Sequence, residues 1–159
     1  MAKVVHFRLD DRLIHGQIIA SWLGVINAKT IVIADDKAAK DSFQSSLLKM
    51  ACPTTVSLKI LTIEDAANYL KESEDLSKTF LIVGNIDSAI RLHELGVDFD
   101  TMNVGNVASG KGRVKYSKAV WLTDEEKEKF YSLVDKGVHL IVQIVPSEKA
   151  SEFTSIVKK

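Results

Sequence analysis

Cysteine, proline and net charge are all scarce in this chain of 159 residues. Cys52 is the only cysteine, which excludes an internal disulfide framework and fits a reducing cytosol. Placed just before Pro53 at the end of a helical pattern, its thiol reads as a small core filler. Lys plus Arg and Asp plus Glu number 21 each, so no global field favours nucleic acid, and any acidic partner must meet a local patch. No apolar run approaches the roughly 18 residues of a membrane span, and residues 1–3 lead straight into a strand pattern without a signal-peptide core. With two prolines, no repeat, no linker and 46% hydrophobic residues, residues 1–159 are expected to form one domain with a substantial core.

Familiar chemical signatures are missing as well. The four histidines show no paired ligand spacing, so no metal is expected, and no glycine-rich first turn or serine elbow stands where a cofactor or a hydrolase triad would need it. Gly110-Lys-Gly112 lacks the Ser or Thr of a P-loop. Asp10-Asp11 has the look of the magnesium-holding pair of receiver domains, but Leu58-Lys-Ile-Leu-Thr-Ile63 offers no acceptor aspartate.

What is present is alternation. Short β-branched runs near 3–9, 29–34, 56–62, 79–84, 101–105, 119–122 and 138–145 alternate with helical patterns near 15–26, 41–51, 64–72, 86–95, 124–136 and 147–157. That rhythm predicts an α/β fold: an open, mostly parallel twisted sheet of about seven strands with helices on both faces. Runs such as Thr30-Ile-Val-Ile-Ala34 and Phe80-Leu-Ile-Val-Gly84 are nearly continuous in apolar character, as strands covered on both faces are. Thr123-Asp-Glu-Glu126 is a capping box, Asp87 and Ser147 are candidate caps, and Gly96 and Gly137 suit helix ends. The stretch 106–118, with two glycines and four cations, breaks the rhythm and predicts a mobile basic loop or a hairpin.

Ligands of such sheets collect beyond the carboxyl ends of the strands. There lies Arg8-Leu-Asp-Asp-Arg-Leu-Ile-His-Gly-Gln17, between the apolar run Val4-Val5-His6-Phe7 and a helix on which Ile18, Ile19, Trp22, Leu23 and Ile26 recur at helical spacing. His15 therefore sits on a strand-to-helix turn, where the first helical N–H groups have no intrahelical partner and negative charge is favoured. A neutral imidazole can attack phosphorus near neutral pH without a general base, so this turn suits a phosphoryl acceptor. Arg8 and Arg12 could offer cationic forks to the phosphoryl oxygens, with the backbone N–H groups of Gly16 and Gln17 beside them. Asp10 or Asp11 could accept from the other ring nitrogen, or could tether the arginines instead. His6, His93 and His139 lie within elements and read as structural, while Asp35 and Asp36 read as turn residues.

The run Arg8 to Gln17 resembles the active-site loop of the IIB components of the mannose/fructose/sorbose family of bacterial sugar phosphotransferase systems. Ile33-Ala-Asp-Asp36, Asn103-Val-Gly-Asn106 and Ser117-Lys-Ala-Val-Trp-Leu-Thr-Asp124 extend the resemblance over nearly the whole chain. It implies a cytoplasmic phosphotransferase subunit, held at the inner face of the bacterial membrane through its partners. His15, phosphorylated on Nδ1, would take phosphate from a phosphohistidine on a IIA protein or domain and pass it to a sugar entering through the membrane components IIC and IID. Arg8, Asp10 and Arg12 carry over by position. Many members have a histidine soon after the Asn-Val-Gly motif, where this chain has Val107-Ala-Ser109. No IIA domain is attached in the sequence, so a free-standing subunit is expected, with homo-oligomerisation left open. Two partners must then present their active sites to one turn, which predicts that Leu13 and Ile14 are partly exposed for docking. The alternative function is a regulatory module that binds a phosphorylated partner without turnover.

Overall fold

The computed structural model describes residues 1–159. Seven strands form one sheet: β1 (Lys3–Asp10), β2 (Thr30–Ala34), β3 (Ser57–Leu61), β4 (Lys78–Val83), β5 (Thr101–Asn106), β8 (His139–Val142) and β9 (Ser151–Glu152), in the order β3-β2-β4-β1-β5-β8-β9. Every pairing is parallel except β8 with β9 at the edge. Between them, α1 (Gly16–Ile26), α2 (Asp36–Lys40) and α3 (Ser42–Ala51) precede β3; α4 (Ile63–Glu72) and α5 (Ile86–Glu94) flank β4; and α6 (Asp124–Asp135) and α7 (Phe153–Ile156) lie on either side of β8 and β9. The expected fold is the observed one.

Both faces of β2 and β4 are covered, which is why their apolar runs show no alternation. The larger core lies under α4, α5, α6 and α7, and a smaller one under α1, α2 and α3, where Ile19, Trp22 and Leu48 pack on Ile31, Ile33 and Phe80. Strand β1 is central, flanked by β4 on one side and β5 on the other, so its carboxyl end opens at the point where strand order reverses. His15 follows that end.

Four departures from expectation have local causes. Residues 119–122 do not join the main sheet: β7 (Val120–Leu122) pairs antiparallel with β6 (Val114–Ser117), so the basic stretch is an ordered hairpin. The predicted helix 147–157 shrinks to α7. Glu148 N donates to Val145 O, and Ile144 N donates to the Glu148 carboxylate, closing a turn at Pro146 that folds β9 back on β8. Asn85, not Asp87, caps α5, accepting from Ser88 N at 2.8 Å, and Ser147 caps nothing. Asp35 caps the short helix α2, while Asp36 accepts from Ile63 N. The capping box at Thr123 and Glu126 is formed as expected, and Gly96 and Gly137 take φ of 89° and 91° at helix ends.

Candidate functional site

The turn after β1 is organised by Asp10. Its carbonyl accepts from Leu13 N at 2.9 Å and its carboxylate from Arg12 N at 3.0 Å, which reverses the chain within three residues. Leu13 adopts φ 62°, a conformation that β-carbon-bearing residues visit rarely and at a cost. This kink turns Leu13 and Ile14 inward, where they are 3% and 7% exposed. The predicted docking role for these two side chains is therefore corrected: they anchor the turn in the smaller core. Gly84 makes room for the anchor, since a β-carbon there would lie 3.2 Å from Leu13 Cδ2.

His15 emerges exposed as the residue preceding α1. Its backbone is extended and its side chain makes no capping bond, so the amides of Gly16, Gln17 and Ile18 are left without a side-chain acceptor. Gly16 and Gln17 are exposed alongside it. An accessible imidazole next to free amides at the positive end of a helix is what a transient anionic adduct needs.

Arg8 is not where the phosphoryl-fork expectation places it. Its guanidinium is fully buried, donating through Nη1 to Asn103 Oδ1 at 2.7 Å and to the Gln143 carbonyl at 3.1 Å, and through Nη2 to Asp10 Oδ2 at 3.2 Å. It also lies over the Trp22 ring. Burial pulls its pKa below the usual arginine value, and Asp10 works against that pull. Because β5 and β8 enclose it, Arg8 has no route to a ligand at His15 and acts from beneath.

Arg12, by contrast, is exposed. Its Nε and Nη2 both donate to the Asp10 carboxylate at 3.0 Å, a bidentate fork that raises its pKa further and leaves Nη1 without a protein partner. Asp10 thus holds both arginines and makes no bond to His15; of the two roles open to it, the tether is the observed one. Asp11 does not meet the histidine either. Its carboxylate accepts from Asn106 Nδ2 at 2.7 Å and from Ala108 N at 2.8 Å, tying the turn to the strand end opposite.

Asn103, Gly105 and Asn106 are the residues that sequence reasoning left without a role. Their signal was present in Asn103-Val-Gly-Asn106, of which Asn103 and Gly105 lie against Arg8 and Asn106 bonds Asp11. Among the cations of 106–118, Arg113 is committed to Glu126 by two bonds of 3.0 and 2.8 Å and to the Ala108 carbonyl, while Lys111, Lys115 and Lys118 are exposed.

The chain is similar to known proteins over its whole length. Residues 4–159 match the family model described as PTS system sorbose subfamily IIB component. The PTS system fructose-specific EIIB component of Bacillus subtilis (strain 168) is 30% identical over 159 residues, 99% of this chain and 98% of that one. The crystal structure of manxB from Thermoanaerobacter tengcongensis superposes with a TM-score of 0.92 at 33% identity, covering 100% of this chain and 97% of the other. The PTS system mannose-specific EIIAB component of Escherichia coli (strain K12) is 28% identical, matching 96% of this chain but 47% of its own length.

Proposed function

We propose, starting from the fact that this chain belongs to the sorbose subfamily of phosphotransferase-system IIB components, that His15 is the residue on which its phosphate rides. The protein is a phosphotransferase and a phosphoryl carrier in sugar transport. The observation that supports His15 is its exposure at the start of a helix whose first amides lack a side-chain acceptor, on the same turn as exposed Arg12.

In this reading the neutral Nδ1 of His15 attacks the phosphorus of a phosphohistidine donor. The donor N–P bond breaks with its electron pair returning to the donor imidazole, and an N–P bond forms on His15. Charge spreading over the three equatorial oxygens meets the amides of Gly16 and Gln17 and the free Nη1 of Arg12. The second transfer reverses the roles: the sugar hydroxyl oxygen bonds to phosphorus, the His15 N–P bond breaks, and the hydroxyl proton is balanced by protonation of the departing imidazole. The donor is a IIA protein or domain, a reading supported by the EIIAB arrangement of the mannose relative. The acceptor side is the IIC and IID permease, which would hold this chain at the cytoplasmic face of the membrane, since none of its own helices is long and apolar enough to cross one. Helices α1 and α3, which approach each other where Ala51 O nears Gly16, carry one charged side chain between them, Lys49, and α3 exposes Phe43, Leu47 and Met50.

The test is phosphate uptake from a phosphorylated IIA protein. Wild type acquires acid-labile, base-stable phosphate; His15→Ala acquires none. Arg12→Ala slows uptake by about 10²–10³-fold, the scale of one lost contact to the transferring group. Full labelling of His15→Ala would end the assignment.

A further inference from the structure

We propose that Asn103 and Gly105 are positioning residues for phosphoryl transfer, acting through buried Arg8 and Asp10 on Arg12. The inference rests on His15 being the carrier and concerns what aims the charge at it.

Stability does not explain Arg8. A fully buried guanidinium pays heavily in lost hydration, and apolar residues of similar size often serve a core as well or better. Arg8 is such a residue, and its Nε finds no partner at all. Its surroundings are nonetheless shaped for it. A β-carbon on Gly105 would fall 2.1 Å from Arg8 Cζ and 2.4 Å from both terminal nitrogens, so the guanidinium lies directly against the strand backbone and any side chain at 105 would expel it. Gly105 does not take a positive φ. Space, not backbone freedom, is what this glycine supplies.

Asn103 fixes the other side. Its Nδ2 donates to the Gln143 carbonyl at 2.9 Å, which orients Oδ1 towards Arg8 Nη1 at 2.7 Å. Held there, Arg8 can present only Nη2 to Asp10. Asp10 in turn is 1% exposed and spends its carboxylate on Arg8 Nη2 and on Arg12 N, Nε and Nη2. One carboxylate between two guanidinium groups leaves one positive charge in excess, and the only exposed member of the trio is Arg12. The strand end of β5 therefore sets where that charge points, across a sequence separation of 95 residues.

The experiment is a double-mutant cycle on transfer from phosphorylated IIA, with kcat and KM resolved and thermal stability measured alongside. Asn103→Ala is expected to lower kcat at least tenfold while the KM for the donor stays within twofold. In the Arg12→Ala background the same substitution should cost little further, because the group it positions is gone. Asn103→Ser, a milder truncation, carries the cycle if Asn103→Ala does not fold. Independent, multiplicative losses would overturn the inference, as would a drop in stability with kcat intact. Failure of wild type to label on His15 would instead remove the carrier reading on which it stands, so the two failures are separable.

Discussion

His6, directly behind the turn, makes stability depend on acid. Its ring stacks on Trp22 at 4.2 Å, meets the edge of Phe80, and lies 3.4 Å from Asn103 Oδ1. Burial, aided by the nearby charge of Arg8, lowers its pKa from 6.5 to about 4, against the hydrogen bond that Asn103 Oδ1 accepts. Below pH 6.5 the unfolded chain therefore takes up a proton that the folded one refuses. Stability should be flat above that pH and fall as pH drops towards 4, by about 2–3 kcal/mol at pH 4.5. Urea melts at pH 7 and 4.5 measure the loss, and His6→Phe, which preserves the stack, should remove most of it. An equal loss in His6→Phe would assign the acid sensitivity elsewhere. The structural reading of His6 was legible from its place inside an apolar strand. The burial of Arg8 was not, because the residues that bury it stand at 103, 105 and 143, and nothing local to Arg8 reveals them.

Elements were legible in proportion to their length and to how far their ends are decided locally. β2 and β4 announced themselves by nearly continuous apolar runs, and α6 by a capping box that the structure forms in full. By contrast, α2, β9 and α7 span five, two and four residues, too few for a period to show, and each is settled by a tertiary contact such as Asp36 with Ile63 N or β9 with β8. Residues 119–122 had strand composition because Ala119, Val120 and Leu122 are buried, yet burial against the core does not say which strand is the partner. Glu126 joins two of these elements. It closes the α6 capping box on Thr123 N and also receives the Arg113 fork that ties down the segment before β6. Glu126→Ala should cost about 1–2 kcal/mol, the cap and a partly shielded ion pair together. It should also speed hydrogen exchange across residues 108–113 while leaving that of β2 and β4 unchanged; uniform acceleration would mean that the contact acts on the whole fold.

At the scale of the molecule, the proposed carrier role makes one turn serve two reactions. The sheet order opens a single crevice end at β1, and that end carries His15, the free amides of α1, Arg12 and the Asp11 tie to 106–108. Around it the chain, in which 26% of residues are charged, leaves α1 without any charge and α3 with Lys49 alone. A protein that reaches the imidazole from any direction must cover these surroundings, because Leu13 and Ile14 hold the turn close to the body and His15 stands on no long arm. Donor and acceptor therefore cannot occupy it together. The expected consequence is mutual exclusion: a IIA variant lacking its phosphorylatable histidine, which cannot take the phosphate back, should inhibit sugar phosphorylation by phosphorylated IIB and membranes bearing the permease. Saturating IIB should restore the full rate. Arg12→Ala should weaken the chemistry without abolishing the competition, since excluded volume at the turn, not charge, produces it. Inhibition that IIB cannot relieve, or no inhibition at saturating IIA, would require a second docking position remote from His15 and a carrier that moves between them.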